Sequence, residues 1–160
     1  MKHIELINRG GRIMGVSFID VNYNVLLEDI EQNCLTEDVC GLCKKKNCLI
    51  GYTKACINDS LKTKMTFVKN GVNNIPHDLR SFEKRAALES VAHILRQCKS
   101  CEEDHFEDCM VNVIRSCYEV IAFGEPQEYQ GSIFMYLSAI QNDFPEEAAH
   151  ILEVFQSYKG

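Results

Sequence analysis

The chain has 160 residues, 46% of them apolar and 25% charged, which is the balance of an ordinary soluble globular domain and points to a single domain over residues 1–160. It lacks the run of ~18 apolar residues that a membrane helix needs, and its start, Met1-Lys2-His3-Ile4-Glu5, lacks the apolar stretch of an export signal, so a cytoplasmic protein with no membrane role is expected. With 17 basic and 23 acidic residues, a net charge of −6 and no basic stripe, nucleic-acid binding is disfavoured too.

The expected fold is mainly α: about six helices with a small N-terminal β-hairpin. Two short β-rich runs flank Asn8-Arg9-Gly10-Gly11 and read as that hairpin, with Gly15 in the second run pointing to a bulge or a close backbone approach. From Val25 the apolar period becomes helical, with Val25, Leu26, Ile30 and Leu35 on one side of a helix that stops before Cys40. A second helix is expected from about Asn47 to Leu61, then a short extended piece at Met65-Thr66-Phe67-Val68. Residues 69–76, rich in Asn and Gly and closed by Pro76, read as a loop.

Beyond that loop Phe82, Ala86, Leu88, Val91, Ala92, Leu95 and Cys98 recur at helical spacing on a segment that Asp78 or Ser81 is placed to cap. Phe106, Cys109, Met110, Val113, Cys117, Val120 and Ile121 make the next stripe, broken at Phe123-Gly124-Glu125-Pro126. Ile133, Phe134, Leu137 and Ile140 form a fifth helix. Asp143, with Pro145 in the first turn and Glu146 three residues on, opens a sixth whose buried side carries Ala149, Leu152 and Phe155.

Nine cysteines are the unusual feature. With Cys34 set aside they form two groups of four, Cys40-x2-Cys43-x4-Cys48-x7-Cys56 and Cys98-x2-Cys101-x7-Cys109-x7-Cys117. Each has a CxxC pair, a polar insert and two cysteines eight apart on a presumed helix. An internal duplication, with units at 40–56 and 98–117, is one reading of this match. Eight residues of α-helix span about 12 Å, whereas two sulfurs on one Zn²⁺ lie roughly 4 Å apart. Cys48 with Cys56, or Cys109 with Cys117, therefore cannot share an ion, and buried packing is the plainer role for Cys56, Cys109 and Cys117.

The CxxC pairs can converge, because two intervening residues let both sulfurs leave one tight turn on the same side. The primary expectation is a four-thiolate site of Cys40, Cys43, Cys98 and Cys101 holding zinc or, alternatively, an iron–sulfur cluster. The basic run Lys44-Lys45-Lys46 and the acidic run Glu102-Glu103-Asp104 would face each other across it. Another arrangement gives each half its own cluster, from Cys34, Cys40, Cys43 and Cys48, and from Cys98, Cys101 and Cys109 with His105 or Cys117. Helix cross-linking of Cys48 and Cys56 against Cys117 and Cys109 needs an oxidising compartment.

Other catalytic arrangements are thin: the five histidines are dispersed, His93 reads as a satisfied helical residue, and Arg9-Gly10-Gly11-Arg12 lacks the spacing of a phosphate loop. The expected function is a non-enzymatic, cysteine-rich metal-binding accessory protein with a protein partner, a homodimer being one form this takes. The alternative is a thiol-based redox enzyme or electron carrier using the same CxxC pairs.

Overall fold

A computed structural model describes residues 7–8, 11–12, 21–35, 40, 47–99, 101 and 106–157. Among them are six helices, as the periodicity requires: α1 (Tyr23–Asn33), α2 (Leu49–Thr63), α3 (Lys84–Lys99), α4 (Met110–Phe123), α5 (Ile133–Gln141) and α6 (Pro145–Ser157). Of the expected hairpin only Ile7–Asn8 and Gly11–Arg12 are described, paired antiparallel with Ile7 opposite Arg12; the rest of it, Gly15 included, lies outside the described residues.

Helix α1 starts on Asn22, whose side chain accepts from Val25 N–H, and ends at Asn33 with Cys34 extended, so Leu35 falls beyond it. Asp29 and Asn33 face inward from α1: His93 Nδ1 lies 2.8 Å from Asp29 Oδ1 and Asn33 donates to Ser90 at 2.9 Å, which ties α1 to α3, while Asp29 Oδ2 and Asn33 Oδ1 are buried without a hydrogen-bond partner. Helix α3 is begun by Glu83, whose carboxylate accepts from Arg85 N–H. Asp78, expected to cap α3, instead crosses to α2 and accepts from Leu49 N–H at 2.9 Å. Pro145 opens α6 in the position where its missing N–H costs nothing.

Helices α3 and α4 form the centre of the bundle. Helix α3 packs on α1, α4 and α6, while α4 packs on α2 and α3. Leu26, Ile57, Val91, Ile94, Leu95, Val113, Ile114 and Ile151 are fully buried between them. Helix α2 runs antiparallel to α4. The extended piece at 65–68 fixes this register: Phe67 bridges Cys109, Met110 N–H donates to Thr66 O at 2.7 Å, and Val68 N–H donates to Asp108 O at 2.8 Å. Gly71, in the expected loop, lies so close to α4 that a Cβ there would stand 2.5 Å from Val113 Cγ2.

Candidate functional site

The two cysteine groups fall on the two antiparallel helices in matching positions. Cys48 is the N-cap of α2, its sulfur accepting from Gly51 N–H at 3.4 Å, and Cys109 is the N-cap of α4. Eight residues on, Cys56 and Cys117 are both buried and lie near enough for the charge of Cys56 to act on Cys117. Cross-linking in antiparallel register would have paired Cys56 with Cys109; the observed register sets it against Cys117. The described cysteines are thiols, with no disulfide among the described residues.

At the Cys109 end, Cys98 sits in the last turn of α3 and Cys101 N–H donates to Cys98 O at 3.2 Å, closing the turn that carries the CxxC pair. Cys98, Cys101 and Cys109 lie near enough for their charges to act on one another. Burial pushes the Cys98 thiol up to about 12, opposed by the Arg115 guanidinium beside it. Burial also raises Cys109, opposed by the N–H groups of Asn112 and Val111 in the first turn of α4. In the middle of the helix pair, burial holds Cys56 up at about 11 and Cys117 at about 12.

At the opposite end, Cys40 and Cys48 act on the exposed Arg80, which donates to Asn47 O at 3.1 Å and to Asp78 Oδ1 at 2.8 Å. The fifteen residues of α2 separate the two ends by roughly 20 Å. The four expected site cysteines therefore divide: Cys98 and Cys101 stand with Cys109, Cys40 stands with Cys48, and Cys43 lies outside the described residues, as do His105 and both charge runs. A single ion shared by Cys40 with Cys98 and Cys101 would have to reach across that length. Among the described residues, no three His, Cys, Asp or Glu side chains are gathered closely enough to hold an ion between them.

Sequence reasoning missed the charged group behind the Cys98 end. Arg115 and Glu119, one turn apart on α4, are both buried. Arg115 Nε donates to Glu119 Oε2 at 3.2 Å, and its Nη2 donates to Asn112 Oδ1 at 2.8 Å and Gln127 O at 3.4 Å. Tyr136 OH and Gln127 N–H donate to the Glu119 carboxylate, and the guanidinium lies over the rings of Tyr129 and Tyr136. Burial disfavours the charge on each partner; it raises Glu119 against the pull of Arg115, whereas in Arg115, where burial is also the largest single influence, the combined attraction of Glu119, Tyr136 and Cys98 holds the pKa above its usual value. The signal in the sequence was an Arg and a Glu at i, i+4 inside an otherwise apolar stripe.

The described residues define a mainly helical bundle with cysteines at both ends of the α2–α4 pair. The chain matches no protein-family model, no curated protein and no solved structure.

Proposed function

We propose that the protein is a non-enzymatic metal-thiolate accessory module of a reducing, cytoplasm-like compartment, built from two copies of a helix–CxxC–helix unit, each copy holding its own centre. One centre takes its sulfurs from Cys98, Cys101 and Cys109, which in the metal-free fold are not gathered around a common point and must draw together on the ion as it binds, the other from Cys40, Cys43 and Cys48. The metal is zinc, with an iron–sulfur cluster as the alternative, and folding of the CxxC turns is coupled to its binding. The observation that carries this is the repetition of the cysteine spacing in the helices themselves, with Cys48 and Cys109 both N-caps and Cys56 and Cys117 both buried eight residues on. Two centres fit it better than one centre made of Cys40, Cys43, Cys98 and Cys101, because α2 keeps the ends apart.

The dithiol redox reading has less support. A reactive cysteine needs an accessible, low-pKa thiolate, and burial drives Cys98 the other way.

Elemental analysis of full-length protein purified without oxygen is the test. Two zinc ions per chain are expected, falling to one in Cys101→Ser or in Cys43→Ser and staying at two in Cys34→Ser. A colourless protein without bound metal overturns the reading, and one ion per chain, lost in either variant, restores the single shared centre.

A further inference from the structure

None of the nine residues of α5 is charged, and the helix is apolar on both sides. Tyr136 and Ile140 turn inward and are buried, whereas Phe134 is 81% and Met135 52% exposed on the other side, beside Ser138 and Ala139. A surface helix ordinarily gives its outer side to charged residues, and a helix that is apolar all round is built to be covered all round. Among the described helices α5 packs chiefly on α6, to which three residues join it. There Ala149 and Leu152, one turn apart, are exposed as well and add to the uncharged surface. The rim is acidic: Glu146 and Glu153 lie one turn to either side of Ala149, Asp143 stands in the link and Glu128 precedes α5, all of them exposed. No Lys or Arg occurs from residue 116 to residue 158. The cations that reach α6 come from α3 and are engaged along that side, Lys84 with Glu147 and Arg96 and Lys99 over the ring of Phe155.

We propose that the exposed side of the α5–α6 hairpin docks an amphipathic helix of a protein partner, one whose apolar stripe is flanked by Lys and Arg. Two packed helices leave a groove that a third helix fills in the manner of a bundle, with Phe134 and Met135 as the apolar anchors. Charge selects the occupant. A second copy would bring the same carboxylates against Glu146 and Glu153, and an anionic lipid surface would be repelled by them, whereas a basic helix meets opposite charge along the whole rim. The proposal goes beyond the metal reading and does not depend on it, since no cysteine follows Cys117 in the chain.

The test titrates full-length, ¹⁵N-labelled protein with a synthetic peptide of Leu and Lys whose leucines follow the helical period, long enough for about five turns. Saturable binding is expected, with amide shifts centred on α5 and the outer side of α6. The same peptide with Glu for Lys, and a Leu/Lys peptide of equal composition with the leucines scrambled off the stripe, should both bind at least about tenfold more weakly. Phe134→Ser with Met135→Ser changes two exposed side chains, so the fold is retained, and should weaken the Leu/Lys helix at least about tenfold. Glu146→Gln with Glu153→Gln should weaken it less and make binding less sensitive to salt. No binding, equal binding of the scrambled peptide, shifts centred elsewhere, or an affinity untouched by the Phe134 and Met135 changes overturns the proposal. So does a dimer in sedimentation, or adsorption to phosphatidylserine vesicles, that those two changes abolish, since a second copy or a membrane would then be the occupant.

Discussion

Helices α2 and α4 start alike, with a cysteine at the N-cap and a buried cysteine eight residues on, and end alike on a left-handed residue. Their surroundings differ. Six of the fifteen residues of α2 are buried, on one face, whereas eleven of the fourteen of α4 are, all round the helix. The same cysteine spacing therefore sits once on an edge helix and once on the central one, and that decides what a charge next to it costs. Lys54 on α2 stays in water at no expense. Arg115 on α4 must bring Glu119, Asn112, Gln127 O and two tyrosine rings with it. Repeated spacing gives repeated positions along the two helices, and burial of the carrying helix makes the two ends chemically unequal.

The largest effect should come from breaking that inequality. Arg115→Met leaves Glu119 buried and unpaired and is expected to cost about 3–5 kcal/mol in urea unfolding, whereas Lys54→Met should stay within about 0.5 kcal/mol of wild type. Replacing both Arg115 and Glu119 by apolar residues should recover most of the loss, since a buried pair contributes little net stability over a well-packed apolar pair. If Arg115→Met alone is as mild as Lys54→Met, α4 is not the dry helix described here.

A second test addresses the middle of the pair, where α2 and α4 each carry a buried thiol. In the unfolded, metal-free chain thiols ionise near 9, while Cys56 holds its proton to about 11 and Cys117 to about 12 in the folded state. The folded protein therefore binds more protons between those limits. Its stability is fully present below pH 9 and falls as pH rises towards 12, by roughly 1.4 kcal/mol per unit for each such thiol. Cys117→Ala should flatten that decline in metal-free protein, and Cys34→Ala, at an exposed position, should not.

Much of the architecture was legible because it rests on local pattern. The stripes Leu88-Val91-Ala92-Leu95 and Met110-Val113-Cys117 have the helical period, and each became a buried helix face. Pro145 and the Asn/Gly-rich run at 69–76 likewise ended up where backbone preference puts them. What could not be read required knowing which elements meet. Asp78 has the composition of a cap for the helix that follows it, yet it serves α2, twenty-nine residues back, because the loop returns there. Arg115 and Glu119 look like surface residues until Tyr136, seventeen residues on, supplies the hydroxyl that helps make the carboxylate tolerable inside. The cysteine spacing was readable and its grouping was not. Which CxxC joins which partner depends on the length and direction of α2, and direction comes from the pairing of Phe67 with Cys109.

Close approach of the loop to α4 gives a smaller effect. Gly71→Ala places a methyl 2.5 Å from Val113 Cγ2 and about 3.0 Å from Val68, and should cost about 1–3 kcal/mol. Val113→Ala in the same chain opens space for it, so the double variant should be more stable than the sum of the two single losses predicts. Plain additivity would mean that the loop moves away from α4 instead of being held by it.

The smallest effect concerns how the two helices end. Helix α4 stops at Gly124 with φ of 86°, and α2 stops at Lys64 with φ of 59°. In both, the cap N–H donates four residues back, to Val120 O and Ser60 O respectively, so the same turn is made once by glycine and once by a residue whose Cβ crowds the following carbonyl. Lys64→Gly relieves that crowding but gives the unfolded chain more freedom, and loses a cation near the C-terminal end of the α2 dipole. The first term exceeds the other two by a small margin, so a gain of about 0.5 kcal/mol is expected in thermal or urea unfolding. The converse change, Gly124→Lys, should lose about 1 kcal/mol, since it puts a side chain on a left-handed residue that has no contact within 4 Å to hold it. A Lys64→Gly protein less stable than wild type would show that Lys64 is held by its surroundings and that the two helix ends, alike in backbone, are not alike in energy.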